Sequence, residues 1–367
     1  MFKLTGQDQD ARTGILSTPH GRIETPLFLP VATKGCVKTL TPLELEELGY
    51  RGVISNAFHL YLNPGLEVIE KAGGLHLFTG WNNAIFTDSG GFQLIRRDFK
   101  FQVTGEGLAY RNNGRKHIYT PELCLEVQQA LKSDIALTLD DCPAYGTNYH
   151  RTAESTGRTI QWAKRSMEYH KSRENRKQGI FAILQGGVYP DLREKCAQKL
   201  LELDFDGYGI GGLSIGEPRE TTARIVSLTA REIPPDKPRY LMGVGSPPEI
   251  LTYVEKGIDI FDSVYPTRNA RHHTILTRKG NLPIRKARYK DEFKPLEPDC
   301  TCYTCQNFTR AYLHHLFRQK ELLALRLATI HNLHHMQNLI QEIRTAIKEN
   351  RYQEFKKEYL SQQPHRV

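Results

Sequence analysis

Gly257-Ile-Asp-Ile-Phe-Asp-Ser-Val-Tyr-Pro-Thr-Arg268 places a lone carboxylate, Asp262, at the end of a short apolar run and follows it with a turn and two arginines, Arg268 and Arg271. Ile258, Ile260 and Phe261 read as a buried strand, and in barrels of alternating strands and helices the chemistry sits at the carboxyl ends of the strands. A single aspartate after a strand is more often a turn or helix-capping residue. What the rest of the chain delivers to the same place decides between the two readings.

Outward from this stretch, seven other apolar runs stand in front of it, and most end in polar or glycine residues. Residues 27–33 form the first expected strand, followed by Thr41-Pro42-Leu-Glu44, a helix start with its cap, its proline at the first helical position and a carboxylate one turn in. Residues 53–55 form the second, with a helix expected from Pro64 to Gly73-Gly74. The third, at 84–87, ends in Asp88-Ser-Gly-Gly-Phe-Gln93, and the fourth, at 135–139, in Asp140-Asp141-Cys142. Then 180–184 delivers Gln185-Gly-Gly187, 208–210 delivers Gly211-Gly-Leu-Ser-Ile215, and 240–241 delivers Met242-Gly-Val-Gly245. Helices are expected at Thr120-Pro121, over residues 152–176, and near Pro190, Pro218 and Pro247. Residues 1–26 read as a hairpin around Pro19-His-Gly21 that closes one end, and Gly105, Gly107 and Gly114 mark a second, projecting hairpin. Eight strands, each followed by a helix-length segment, give an α/β fold, a (β/α)8 TIM barrel. An open doubly wound sheet alternates similarly, but polar and glycine residues recurring after strands three to eight favour one ring of loops around one mouth.

At 367 residues the chain has room for one large barrel or two ordinary domains. The segment 280–330, with its own cysteines, interrupts the barrel before the last helix. The expected organisation is therefore a barrel with its N-terminal hairpin over 1–279, a zinc-binding subdomain over 280–332, and the last helix with a tail over 333–367. An apolar fraction of 39% and a charged fraction of 25% are those of a soluble globular protein. No apolar run is long enough for a bilayer and the N-terminus lacks a signal peptide's apolar stretch, so a cytoplasmic chain with no membrane partner is expected. Fifty Lys plus Arg against forty-one Asp plus Glu leave a formal charge of +9, which favours a polyanionic partner.

Of seven cysteines, Cys36, Cys124, Cys142 and Cys196 are scattered, whereas Cys300-Thr-Cys302-Tyr-Thr-Cys305 is a bunch. Scattered cysteines in a reducing compartment are ordinarily free and buried, while three on a tight turn suit metal. With an imidazole they complete a tetrahedral zinc site whose four positions are all protein, which makes the zinc structural. His331 is the expected fourth ligand because the segment before it has room to fold back; His314, His315, His334 and His335 lie nearby.

The mouth would then gather Asp88, Asp140, Gln185, Gly212 and Asp262. Guanine's Watson–Crick edge offers two adjacent N–H donors that one carboxylate accepts side by side, and its O6 and N7 suit an amide and backbone N–H groups. Asp140, Gln185 and the Gly211-Gly212-Leu213 backbone fit that set, with Phe92 and Met242 as faces above and below the ring. Retaining glycosyl transfer needs one carboxylate as nucleophile and another as acid/base, and Asp262 and Asp88 suit those roles. Acidic residues at barrel mouths also serve as metal ligands and Gly-Gly pairs also serve turns, and the residues alone leave those readings open.

Over residues 12–355 the sequence resembles the tRNA-guanine transglycosylases, which exchange a guanine in tRNA for a 7-deazaguanine on the way to queuosine. The matching segments are Thr87-Asp-Ser-Gly-Gly-Phe-Gln93, Leu139-Asp-Asp-Cys142, Gln185-Gly-Gly187, Gly211-Gly-Leu213, Tyr240-Leu-Met-Gly-Val-Gly245, Phe261-Asp262 with Pro266-Thr-Arg268, and Cys300, Cys302, Cys305 and His331. The resemblance implies a (β/α)8 barrel with structural zinc, Asp262 as the nucleophile that bonds to ribose, and Asp88 as general acid/base. It implies Asp140, Gln185, Gly212 and Leu213 as base-reading residues, Phe92 and Met242 as the stacking pair, Ser89 beside the site, and Arg268 and Arg271 on phosphates. The expected partner is the anticodon stem-loop of tRNA with a GUN anticodon, modified at the wobble position. Phe308, Tyr312 and His315 correspond to the family's homodimer contact, or else pack the metal-bearing segment internally. Two positions depart from the family's usual pattern: Asn56-Ala-Phe-His-Leu60 stands for Asn-Thr-Tyr-His-Leu, and Phe92 for a tyrosine frequent in bacterial members. Cys142 and Ile215 line the region that takes the 7-substituent, and the bulky Ile215 favours a small aminomethyl group, as in preQ1. Insertion of queuine or preQ0 on the same scaffold, or a non-catalytic tRNA-binding partner subunit, are the alternatives.

Overall fold

The computed structural model describes residues 1–90, 101–112, 114–173 and 177–363. Its barrel strands are Leu27–Pro30, Gly52–Asn56, Ala84–Asp88, Ile135–Leu137, Gly179–Leu184, Gly207–Ile210, Arg239–Leu241 and Ile260–Ser263. These short apolar runs are covered on both faces, which is why they read as continuous rather than alternating hydrophobicity. Successive strands pair in parallel around the ring, the eighth returning beside the first through Asp262 opposite Leu29. A parallel bridge between Val31 and Ile54 joins the first strand to the second and closes the circuit.

Two buried apolar clusters divide the packing. One, with Leu29, Ile54, Phe86, Phe181, Tyr240 and Ile260 among its members, draws on the barrel strands and the N-terminal sheet. The larger joins the strands to the surrounding helices. Most helices begin as their sequence signals require. Thr41 caps Pro42–Glu47 in a full capping box with Glu44, Thr120 caps Pro121–Ala130, and proline opens Pro190–Leu201 and Pro247–Val254.

Several elements differ from the sequence expectation for local reasons. Residues 1–26 form a three-stranded antiparallel sheet, Phe2–Asp8, Ala11–Thr18 and Gly21–Thr25, not a hairpin alone. The additional reversal at Gln9-Asp10 uses a positive φ of 54° at Gln9, with no glycine to announce it. Leu16 and Ile23 of this sheet belong to the barrel's strand cluster, so the sheet plugs the amino-terminal end. After the second strand the chain turns helical at once, as Ala57–Leu62, because the Asn56 side chain caps the His59 N–H at 2.8 Å. Leu66–Lys71 follows as a separate helix. The helix expected over 152–176 is Tyr149–Lys171, capped by Asn148. His331 lies inside the helix Leu322–Lys348, which runs unbroken across residues 332 and 333. No helix among the described residues is long and apolar enough to cross a membrane.

One ionic brace holds the barrel's lower rim. Arg12, from the N-terminal sheet, meets Asp259 through two hydrogen bonds of 2.9 and 2.6 Å, and both side chains are almost wholly buried. Asp259 also accepts the Arg239 N–H at 2.7 Å, and Arg12 donates to the carbonyls of Pro235 and Lys237. Such a pair is nearly neutral against an apolar substitute but costly when halved. Asp259→Ala, which strands the guanidinium, is expected to lose about 3–5 kcal/mol in denaturant titration. A loss within experimental error of zero would show that the brace carries no stability.

Candidate active site and metal centre

The strand ends converge as the barrel topology requires. Asp262 lies in the eighth strand, and its Oδ1 accepts the Tyr240 hydroxyl at 2.6 Å and the Gly243 N–H at 2.9 Å. Both donors come from the seventh strand and the loop after it. Surrounding protein raises its pKa by desolvation, while those two bonds lower it. Asp88 ends the third strand and accepts the Gly90 N–H at 3.1 Å. Its pKa is raised to about 7, first by desolvation and next by the charge of Asp262, with a further contribution from Asp140. The three carboxylates thus share one electrostatic environment.

Asp140 is buried, and its two oxygens are separately engaged: Gln185 Nε2 donates at 2.7 Å and Ser89 Oγ at 3.3 Å. Desolvation raises its pKa to about 6, opposed by the Gln185 bond. Its neighbour Asp141 faces elsewhere, bonded by Arg151 at 3.1 Å and Arg158 at 2.8 Å. Gly212 adopts φ +66°, and a Cβ there would fall 2.3 Å from Gln185 Oε1, so the backbone approach requires glycine. Leu213 and Cys142 are buried, whereas Met242 and Ile215 are half-buried. Phe92 lies outside the described residues. Arg268 is exposed and Arg271 half-buried on the helix Tyr265–Arg271, immediately beyond Asp262, and among the described residues neither pairs with a carboxylate.

Two contributors are absent from the reading of sequence. Tyr240 appears there only as a strand residue at the head of a matching segment, although a tyrosine inside a barrel needs a partner for its hydroxyl. Glu217 holds the loop after the sixth strand by accepting the backbone N–H groups of Ser214 and Ile215 and the Thr222 hydroxyl. Its signal is a carboxylate shortly after a glycine-rich strand end.

Cys300, Cys302, Cys305 and His331 bring their ligand atoms together, with His331 Nδ1 lying 3.6, 3.5 and 3.3 Å from the three sulfurs. The Cys302 sulfur also caps the short helix Tyr303–Asn307. His331 Nε2 is bonded to the Leu276 carbonyl at 2.8 Å, which fixes the tautomer and leaves Nδ1 for an ion. The set fits one tetrahedral cation with soft ligands. A second group, His20, His76 and Asp134, does not: the imidazoles stack at 3.6 Å and 18°, so they cannot both aim an in-plane lone pair at one ion. Asp134 instead accepts His20 Nδ1 and His76 Nε2 as a brace. Elemental analysis of the protein purified without chelator is expected to give about one zinc per chain, falling towards zero in Cys305→Ser. Equal metal content in the two proteins would remove the cysteines from the site.

Comparison with known proteins agrees with this geometry. A family model described as queuine tRNA-ribosyltransferase matches residues 8–365. A protein of that name from Thermoanaerobacter sp. (strain X514) is 50% identical over 363 residues, covering 98% of this chain and 96% of the relative. Another from Caldanaerobacter subterraneus subsp. tengcongensis is 49% identical over 352 residues, covering 95% and 93%. A third, from Francisella tularensis subsp. novicida, is 47% identical over 362 residues, covering 98% of each. With nearly its whole length matched, the chain belongs to the queuine tRNA-ribosyltransferase family of pentosyl-transferring enzymes.

Proposed function

We propose that this enzyme exchanges guanine at the tRNA wobble position for a 7-deazaguanine by double displacement, through a covalent link between Asp262 and ribose. The observation that carries the reading is the pairing of a hydrogen-bonded Asp262 with an Asp88 whose pKa is raised to about 7. The Asp262 carboxylate attacks C1′, the glycosidic C1′–N bond breaks, and its electron pair leaves with guanine, which takes the proton held by Asp88. The incoming base then gives its N9 proton to Asp88, attacks C1′ and releases Asp262. Two displacements retain the configuration. The Tyr240 and Gly243 bonds to Oδ1 orient the nucleophile and favour its ionised form against desolvation.

Asp140 is the acceptor for the base's two N–H donors, with Gln185, Gly212 and Leu213 reading the remaining edge, Ser89 orienting Asp140, and Met242 and Phe92 flanking the ring. Half-buried Ile215, taken with Cys142 to line the region of the 7-substituent, favours a small group there, hence preQ1 over queuine. Arg268 and Arg271 take phosphates of the anticodon stem-loop. The metal is zinc with a structural role, since four protein ligands leave no position for substrate. The same proposal includes a cytoplasmic location and the division into a barrel (1–279), a metal-bearing segment (280–332) and the rest of the closing helix with its tail (333–367). It also includes a homodimer through the aromatic patch of Phe308, Tyr312 and His315: Phe308 and Tyr312 stack at 5.4 Å, and Tyr312 and His315 are exposed.

With tRNA and no added base, a denaturation-resistant protein–tRNA adduct is expected, and Asp262→Ala abolishes it; an adduct of undiminished yield in that variant refutes the nucleophile. The first displacement needs Asp88 protonated and the second needs it ionised. Adduct formation should therefore slow, and base insertion quicken, as pH rises through about 7. Identical pH profiles for the two half-reactions would contradict the role given to Asp88.

A further inference from the structure

Arg193 is a guanidinium almost without exposure, on the helix Pro190–Leu201 that follows the fifth strand. Among the described residues it has no carboxylate partner. Its Nε donates to the Gly187 carbonyl and its Nη1 to the Leu184 carbonyl, both at 2.8 Å, while the buried Nη2 has no partner. Burial lowers its pKa to about 10, which leaves it a cation at neutral pH. An unpaired buried charge is costly, so its retention calls for a reason beyond filling space.

The two carbonyls it grips flank Gln185 and Gly186. The Leu184 carbonyl also accepts the Gly211 N–H at 3.1 Å, so the same clamp ties the turn after the fifth strand to the loop after the sixth. Gly186, at φ +141°, packs so closely on this helix that a Cβ would lie 2.7 Å from the backbone nitrogen of Arg193. The Gln185 N–H is held by Cys196 of the same helix at 3.4 Å, and its side chain by Asp140. Its Oε1, buried and unpartnered, abuts Gly212.

We infer that Arg193 is a positioning residue for purine selection: by fixing the carbonyls on either side of Gln185 and Gly186 it holds the Gln185 amide in register with the oxygen at C6 of the bound base. The inference rests on the base-reading role proposed for Gln185, and its test separates the two. Charge-assisted bonds to two carbonyls define a backbone position better than neutral contacts do. Loss of the clamp therefore affects ligands that carry the oxygen and spares those that lack it.

The experiment titrates wild type, Arg193→Met and Arg193→Lys with guanine and with 2-aminopurine, which has no oxygen at C6, and records melting temperatures alongside. Arg193→Met, of similar length and uncharged, is expected to reduce the guanine/2-aminopurine affinity ratio by about tenfold, the weight of one well-placed hydrogen bond to a charged or oriented group, with 2-aminopurine affinity unchanged. Arg193→Lys, which keeps the charge and fewer bonds, should fall between, and carries the test alone if the methionine variant does not fold. A ratio equal to wild type in a folded variant overturns the inference, as does equal weakening of both ligands, which marks a merely structural role. If wild type itself shows no preference for guanine, the base-reading proposal fails instead.

Discussion

The chemistry proposed for this protein depends on a repulsion that the fold does not relieve. Asp88 and Asp262 lie at the ends of barrel strands, close enough for the charge of one to raise the proton affinity of the other, and no described cation pairs with either. Water would screen such a pair, and an intervening arginine would cancel it. Desolvation raises the pKa of both carboxylates and hydrogen bonds oppose it at both; what sets Asp88 apart is that the charges of Asp262 and Asp140 add to its rise. Asp88 is thereby brought to about 7, near the point of titration at neutral pH, while the Tyr240 hydroxyl and the Gly243 N–H on one oxygen of Asp262 favour its ionised form, the division of labour that acid-assisted displacement requires.

The scaffold makes this arrangement affordable by concentrating its rigid interactions at the other end. The Arg12–Asp259 brace and the Asp134 hub with His20 and His76 sit at or below the amino-terminal ends of the strands, where the N-terminal sheet plugs the barrel. In barrels this division is general: the lower face serves stability and the upper face carries the chemistry. The Cys3His cluster adds a third fixed point, and the helix Leu322–Lys348 links it to the barrel by bearing His331 and packing against strands and helix alike.

Much of this was legible in the residues because barrel strands are short, apolar and punctuated. Asp88, Asp140, Gln185 and Asp262 each end or follow such a run, so counting strands placed them around one mouth. The cysteine spacing spoke for itself. What the sequence concealed is of two kinds. The partner of the Tyr240 hydroxyl, Asp262, lies on the next strand and is not named by the residues around Tyr240, whereas Glu217 turns back on Ser214 and Ile215 in a local contact that its place after a glycine-rich strand end only suggests. The extra strand at the N-terminus was hidden because Gln9 adopts a positive φ without glycine, and the early helix Ala57–Leu62 because its cap, Asn56, ends the strand before it.

The central claim is that protein burial and a neighbouring carboxylate, not substrate, set the protonation of Asp88. Infrared difference titration of the free protein between pH 5 and 9, comparing wild type with Asp88→Asn and Asp262→Asn, measures it directly. The account predicts protonated carboxyl absorption that disappears in two steps in wild type, near 6 for Asp140 and near 7 for Asp88; the step near 7 is missing in Asp88→Asn and shifts to lower pH in Asp262→Asn. A wild-type protein with no such absorption at pH 5, or an upper midpoint indifferent to Asp262, would contradict it.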